Sequence, residues 1–357
     1  MISRDKTYLP KWIAIEITRK CNLKCIHCRS ASTIDSESGI WNLEKIEKLF
    51  EDISALSKPT IVLTGGEPLL HEEVFDMIKA GNKKGFRMCL ATNGTLINEE
   101  IAKKLKDLDI KMVSLSIDGS TPEIHDNFRQ QKGAFEGVMR AIEILKKYEI
   151  PFLINSSFTK RNAFDIPNVY KLMKKIKPVA WYMFLILPVG RGDEAEKELL
   201  SSKEAEEWLK WHFAIETVTD EFLVRPTCAP QYYRICEEEA KKLGLDYSRR
   251  NLTLGTGGAK GCVAGQYICF IDAFGGLRPC SYWPESIDNV FEKSFVDIWT
   301  KNPLLLALRD KNAYKGKCRD CKYFEVCSGC RVRAYAKYKD YLAEDPYCFY
   351  NPYKDNT

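Results

Sequence analysis

Apolar and polar positions alternate along the first two thirds of the chain in two rhythms. Short β-branched or aromatic runs bounded by turn residues occur at WIAIEIT (12–18), TIVLT (60–64), RMCLAT (87–92), MVSLSI (112–117), FLINSSF (152–158) and WYMFLIL (181–187). These read as strands. Between them, apolar residues recur every three or four positions. NLEKIEKLFEDISAL carries them at 43, 46, 49, 50, 53 and 56, one face of a helix. EEVFDMIKAG, NEEIAKKLKDL, FEGVMRAIEILKKY and IPNVYKLMKKI follow the same rule, and SKEAEEWLKWHFAIE comes after the sixth strand.

Strand and helix in regular alternation predict an α/β fold with a parallel sheet, because right-handed crossovers return each strand beside the last. Six units suit a partial (β/α)6 TIM barrel, with ligand chemistry at the C-terminal ends of the strands. The expected organisation is a barrel over 9–217, a linking region over 218–260 that includes the glycine-rich TLGTGGAKG, and a smaller C-terminal cysteine-rich domain over 261–353. That last region holds eight cysteines in the 87 residues from Cys262 to Cys348.

Composition narrows the class. The chain has 357 residues, 45% hydrophobic and 29% charged, which is ordinary for a globular protein. Its 54 basic and 49 acidic residues leave +5, too mild and too scattered for nucleic-acid binding. The apolar run VAWYMFLIL is too short to span a membrane, and MISRDKTYLP lacks the apolar core of a signal peptide. A cytoplasmic protein with no membrane partner is expected. Fourteen cysteines are many for that reducing compartment, so clustered ones point to metal ligation and isolated Cys89 and Cys236 to packing.

The densest cluster is CNLKCIHCRS, directly after the first strand and on the expected reactive face. A disulfide uses two thiols and a closed tetrahedral metal site four ligands, but Cys21, Cys25 and Cys28 are three. His27 adjoins Cys28 too closely to share one ion with it comfortably. Three soft thiolates fit a [4Fe–4S] cluster with one iron left open to a small molecule.

The C-x3-C-x2-C spacing, followed after the second strand by TGGEPLL (64–70), resembles the radical S-adenosylmethionine (radical SAM) superfamily. The resemblance implies a [4Fe–4S] cluster on Cys21, Cys25 and Cys28 that binds SAM, with Gly65, Gly66 and Glu67 at the methionyl ammonium. Along ATNGT, SLSIDGS and HDNFR it implies Ser116 at the ribose and Arg129 at the methionyl carboxylate, with Asn93 and Asn155 lining the site. His27 would lie near the adenine, and Asp118 would shape a turn. The implied chemistry is one-electron cleavage of SAM to a 5′-deoxyadenosyl radical, started by an external low-potential electron donor.

The later segments GCVAGQYICFIDAFGGLRPCSY, KCRDCKYFEVCSGCRVRAY and DPYC resemble the SPASM extension of that superfamily. This implies one or two auxiliary [4Fe–4S] clusters, the first on Cys318, Cys321, Cys327 and Cys348, the second on Cys262, Cys269, Cys280 and Cys330. Two residues separate the cysteines of CSGC where many SPASM sequences have three, which leaves Cys269 and Cys330 open. From the residues alone, a zinc ribbon of C-x2-C pairs is the alternative.

LPVGRG, RPTCAPQYYRI, GCVAG, CSGCRVRAYA and DYLAEDPYC resemble the haem b synthase branch, over roughly residues 9–353. That branch implies a tetrapyrrole substrate, iron-coproporphyrin III, with two propionates oxidatively decarboxylated to vinyls. Candidate substrate contacts are then Arg191 and Arg225 for propionates, Tyr232, Tyr233 and Trp181 for the macrocycle, and Cys228 for substrate or its iron. The alternatives are a didecarboxysiroheme deacetylase, or a peptide-modifying SPASM enzyme that makes a thioether, a crosslink or a formylglycine.

Overall fold

A computed structural model describes residues 8–193, 198–246 and 259–353. Its strands are β1 (Trp12–Thr18), β2 (Thr60–Gly65), β3 (Arg87–Ala91), β4 (Met112–Ser116), β5 (Phe152–Phe158), β6 (Ala180–Leu185), β7 (Leu223–Thr227), β8 (Ile268–Ile271), β9 (Gly276–Arg278) and β10 (Asp288–Asn289). The crossover helices are α1 (Leu43–Leu56), α2 (Val74–Lys83), α3 (Glu99–Asp107), α4 (Pro122–Arg129), α5 (Ala134–Lys147), α6 (Ile166–Ile176), α7 (Ser202–Thr217) and α8 (Tyr232–Leu243).

All ten strands form one sheet in the order β10-β9-β8-β1-β2-β3-β4-β5-β6-β7. β1 to β7 are parallel neighbours, β8 is parallel to β1, and β9 and β10 add antiparallel pairs. Two features depart from the six-unit expectation. A seventh parallel strand, β7, lies inside the stretch expected to be a linker. β8, from the cysteine-rich region, joins the same sheet on the far side of β1. No pairing joins β7 to β10 among the described residues, so the sheet is open. Residues 247–258, with most of TLGTGGAKG, lie outside the described residues.

The alternation along each strand separates two faces. Ile13, Ile15, Ile17, Ile61, Leu63, Met88, Leu90, Val113, Leu115, Ile154 and Trp181 belong to the main core with the helices. The helices start where the sequence supplies caps: Asn42 accepts from the Lys45 N–H at 3.0 Å, and Ser201 and Glu204 form a capping box on α7, each worth about 1 kcal/mol. The opposite face of the sheet has its own apolar floor. Ala14, Val62, Cys89, Met112 and Phe270 pack there as one row in register, so Cys89 is a packing residue. Nearer the strand C-termini the same face turns polar, with Glu16, Thr64, Ser114, Ser116, Asn155 and Tyr182.

Candidate functional site

β1 leads into the loop of Cys21, Cys25 and Cys28. Its register with β2 slips between Glu16 and Thr18, where the chain leaves the sheet. The loop is tied internally: Cys28 N–H donates to the Cys25 carbonyl at 3.2 Å, and Cys21 N–H to the Thr33 carbonyl at 3.0 Å. Cys21 and Cys25 are buried and Cys28 half-buried, and burial pushes the Cys21 thiol up to about 12. A buried thiolate needs a positive neighbour. Arg129, at the end of α4, places Nη1 3.6 Å from Cys25 Sγ and Nε 2.5 Å from Asp118 Oδ2. Burial opposes its charge, but Asp118 and the Cys25 thiol outweigh that and hold Arg129 protonated. Asp118 therefore anchors the cation, beyond shaping a turn; it also accepts from the Ser157 N–H at 2.7 Å. The His27 ring lies against Phe128 with centroids 4.7 Å apart. Burial, with Arg129 and Arg191 nearby, keeps that imidazole neutral.

The turn after β2 packs on the thiol loop with no room for side chains. A Cβ at Gly65 would meet the Thr18 carbonyl oxygen at 2.5 Å, and one at Gly66 that of Lys20 at 2.4 Å, which is why both are glycine. Glu67 has no exposed surface. Its carboxylate accepts from Thr92 Oγ1 at 2.7 Å, Asn93 N–H at 2.8 Å and Leu69 N–H at 3.1 Å, and burial raises it to about 7. The Glu67 side chain, expected at an ammonium, is thus engaged in tying the second turn to the third. Asn93 Nδ2 donates to Asn22 Oδ1 at 2.8 Å and lies 4.0 Å from Cys21 Sγ. Four strand ends therefore converge on the three thiols.

Across the face opposite the main core, Ser116, Asn155, Tyr182 and Arg225 stand in register on β4 to β7. The side chains of Ser116, Asn155 and Tyr182 are half-buried and make no hydrogen bond to protein among the described residues. Burial raises Tyr182 to about 12, with Arg225 opposing, so its hydroxyl stays a neutral donor.

The C-terminal thiols gather in two places. Cys318, Cys321, Cys327 and Cys348 line one cavity with Phe324 and Tyr350. Arg331 Nη2 lies 3.8 Å from Cys318 Sγ, repeating the cation-on-thiol pairing of the first loop. Cys228, Cys262, Cys280 and Cys330 lie within electrostatic reach of one another. Cys269 lies apart: in β8 it is opposite Ile13, without exposed surface, in the helix-side core. Among the described residues no three His, Cys, Asp or Glu side chains converge tightly enough for a single metal ion.

Residues 15–173 match the model of the radical SAM superfamily, and residues 262–322 that of the SPASM iron–sulfur cluster-binding domain. Over 98% of this chain and 99% of the relative, it is 40% identical to the AdoMet-dependent heme synthase of Methanosarcina barkeri. The chain belongs to the SPASM branch of the radical SAM superfamily. It is also 37% identical to the AdoMet-dependent heme synthase of Nitratidesulfovibrio vulgaris, over 96% of this chain and 93% of the relative. The Fe-coproporphyrin III synthase of Methanosarcina barkeri is 30% identical, over 97% and 89%. Among solved structures, anSMEcpe with bound AdoMet is similar at TM-score 0.69 and 25% identity, over 97% of this chain and 95% of that one. Streptococcus suis SuiB bound to S-adenosylmethionine is similar in fold alone, at TM-score 0.73 and 16% identity over 96% and 78%.

A radical SAM enzyme binds an iron–sulfur cluster and SAM, and this chain's donor set fits both. Three soft thiols sit on one loop beside a fixed guanidinium, with a neutral imidazole, a glycine turn and unpartnered polar groups on the adjoining strand ends. Of the expected substrate contacts, several are engaged elsewhere. Arg191 donates from Nε to the Cys25 carbonyl at 2.8 Å and from Nη2 to that of Ser32 at 3.1 Å, so it braces the radical SAM thiol loop. Arg225 donates from Nη1 to Glu216 Oε1 at 2.5 Å, and Tyr232 is fully buried with its hydroxyl on the same carboxylate. Trp181 is fully buried on the helix side, its Nε1 on Ser156 Oγ at 2.9 Å. Tyr233 is half-buried beside Tyr182. Sequence reasoning missed Tyr182, next to Trp181 on the opposite face; the strand alternation was the available signal. It also missed Tyr282, two residues after Cys280 and near Cys228, Arg29 and Asp118.

Proposed function

We propose that this radical SAM enzyme oxidatively decarboxylates two propionates of iron-coproporphyrin III to vinyls, giving haem b. Each propionate would lose a hydrogen atom from its β-carbon, then carbon dioxide and one electron, leaving the alkene; the auxiliary iron–sulfur cluster, when bound, would supply the acceptor for that electron. When bound, the cluster and SAM supply the 5′-deoxyadenosyl radical that takes the hydrogen atom, and an external low-potential donor supplies the first electron. Cys21, Cys25 and Cys28 are the ligands for that cluster, and Cys318, Cys321, Cys327 and Cys348 those for an auxiliary one. The chain's own residues then act by position. Arg129, locked by Asp118, presents a fixed positive charge beside Cys25 for the methionyl carboxylate. Gly65 and Gly66 bring the backbone of the second turn to the ammonium end. His27, neutral and packed at a tilt on Phe128, faces the adenine. Ser116 and Asn155 offer open polar groups to the ribose, and Tyr182 donates a hydrogen bond to a propionate oxygen.

The observation that carries this reading is the open polar row Ser116–Asn155–Tyr182 on the face opposite the main core, in a chain that matches heme synthases over nearly its whole length. The sheet serves as a partial barrel around that face, and we place the enzyme in the cytoplasm; no described helix is long and apolar enough to cross a membrane. The test is anaerobic reconstitution followed by incubation with SAM, reductant and iron-coproporphyrin III. Haem b, with two 5′-deoxyadenosines and two carbon dioxides per porphyrin, is the expected outcome. Release of 5′-deoxyadenosine with no mass loss from the porphyrin refutes the substrate, and loss of acetates from didecarboxysiroheme assigns the deacetylase instead.

A further inference from the structure

Cys228 lies outside the cysteine-rich region in the sequence, 34 positions before Cys262, yet the fold gives it company. It follows β7 at the strand's C-terminal end, with φ of +59°. A non-glycine residue there costs about 1–2 kcal/mol and persists only when its surroundings fix it. They do. Arg333, in the C-terminal helix Arg331–Tyr338, donates from Nη1 to the Cys228 carbonyl at 2.6 Å. The same guanidinium holds Asp345 from Nε at 3.0 Å and Nη2 at 2.8 Å, and Asp345 Oδ2 accepts from the Cys330 N–H at 2.7 Å. Cys228 and Cys330 are thus fixed to one buried ion pair. Cys262 and Cys280 are joined by a second tie, the Gly265 N–H donating to the Pro279 carbonyl at 2.9 Å. Cys330 belongs to the main core and Cys228 and Cys280 pack against that core, and Cys228 lies in electrostatic reach of all three thiols. Cys269 is excluded by its strand: opposite Ile13, it points to the helix side, and the charged group beside it is Arg309.

We propose that Cys228 is the fourth thiol of a set with Cys262, Cys280 and Cys330, in the place that the SPASM resemblance gives to Cys269. This rests on the reading of the C-terminal region as one that carries iron–sulfur clusters. The second auxiliary cluster is then held jointly by a barrel strand end and the C-terminal region. It lies at the end of the strand that carries Arg225, next to the open polar row.

The experiment uses the full chain with Cys21, Cys25 and Cys28 changed to alanine, so that only auxiliary clusters remain, at about four irons each. Iron, sulfide and electron paramagnetic resonance spectra are measured after anaerobic purification and again after mild ferricyanide oxidation. Cys228→Ala is expected to lose up to half the iron or to yield a three-iron signal on oxidation, because a cube with three thiolates sheds its unprotected iron. Cys228→Ser, which keeps the side-chain volume if alanine fails to fold, is expected to shift the spectrum of the reduced protein. Cys269→Ala is expected to change neither. Iron loss in Cys269→Ala, or wild-type iron and spectra in both Cys228 variants, overturns the proposal. A Cys262→Ala/Cys280→Ala double variant separates the two levels: if it loses no iron, the cluster reading itself fails for this set.

Discussion

Gly66→Ala tests whether the second turn and the thiol loop act as one packed unit. An alanine Cβ would stand 2.4 Å from the Lys20 carbonyl oxygen and 2.7 Å from that of Arg19. Both are backbone atoms, so no side chain can rotate away. Ordinary contact begins near 3.4 Å, and the two segments must part by about 1 Å, an overpacking cost of about 1–3 kcal/mol. That movement breaks the bonds from Gly66 N–H to the Thr18 carbonyl, 2.7 Å, and from Glu67 N–H to the Lys20 carbonyl, 2.8 Å, at about 1 kcal/mol each. The sum, about 3–5 kcal/mol, lowers the melting temperature by about 4–7 °C for a chain of this size, whose unfolding entropy is about 2.1 cal/mol/K per residue. Glu67 transmits the shift to Thr92 and Asn93, so SAM affinity falls as well. Calorimetry of anaerobically purified protein and equilibrium dialysis with labelled SAM read the two effects. Gly85→Ala is the comparison: its Cβ meets nothing within 4 Å at φ +78°, so it carries only conformational strain and leaves SAM binding alone. A Gly66→Ala protein with wild-type melting and wild-type SAM affinity refutes the packing argument.

Four further outcomes are expected. Cys25→Ala removes 5′-deoxyadenosine formation and lowers iron by about four per chain, read by chromatography and iron assay; retained turnover contradicts the site. Arg129→Met leaves Asp118, which has no exposed surface, without its counter-charge, and is expected to cost about 3–5 kcal/mol; Asp118→Asn in the same chain recovers part of it in urea titrations. Stability falls on acidification because His125 is held neutral: burial, then Arg129, lowers it to about 3 from an ordinary 6.5, and its Nδ1 accepts from the Asp118 N–H at 3.1 Å. The unfolded chain takes up the proton first, so stability is full above about pH 6.5 and drains toward pH 3; His125→Leu flattens that slope in pH-dependent melts. Tyr182→Phe removes one donor to a charged propionate, worth about 1.5–3 kcal/mol; KM for the porphyrin rises by at least tenfold while uncoupled SAM cleavage is unchanged.

What this sequence determines by itself is local. WIAIEIT, FLINSSF and IPNVYKLMKKI coincide with β1, β5 and α6, because the repeat of apolar residues dictates which backbone conformation can bury them. The three thiols after β1 are legible for the same reason, as ligands a few residues apart need no distant partner. Pairing over distance was decided only by the tertiary structure. LVRPT did not read as a strand, since arginine and proline interrupt it, yet β7 sits at the sheet edge, where a missing N–H costs little. ICFI reads as cysteine spacing until β8 pairs with β1, some 250 residues earlier, and that register turns Cys269 to the helix side. Trp181 and Tyr182 are adjacent aromatics in the chain, and strand pleating sends one into the core and the other to the open face. Spacing within a segment fixes what that segment can form. Which side chains meet across segments depends on register and on the side of the sheet each strand presents, and neither exists until the strands have paired.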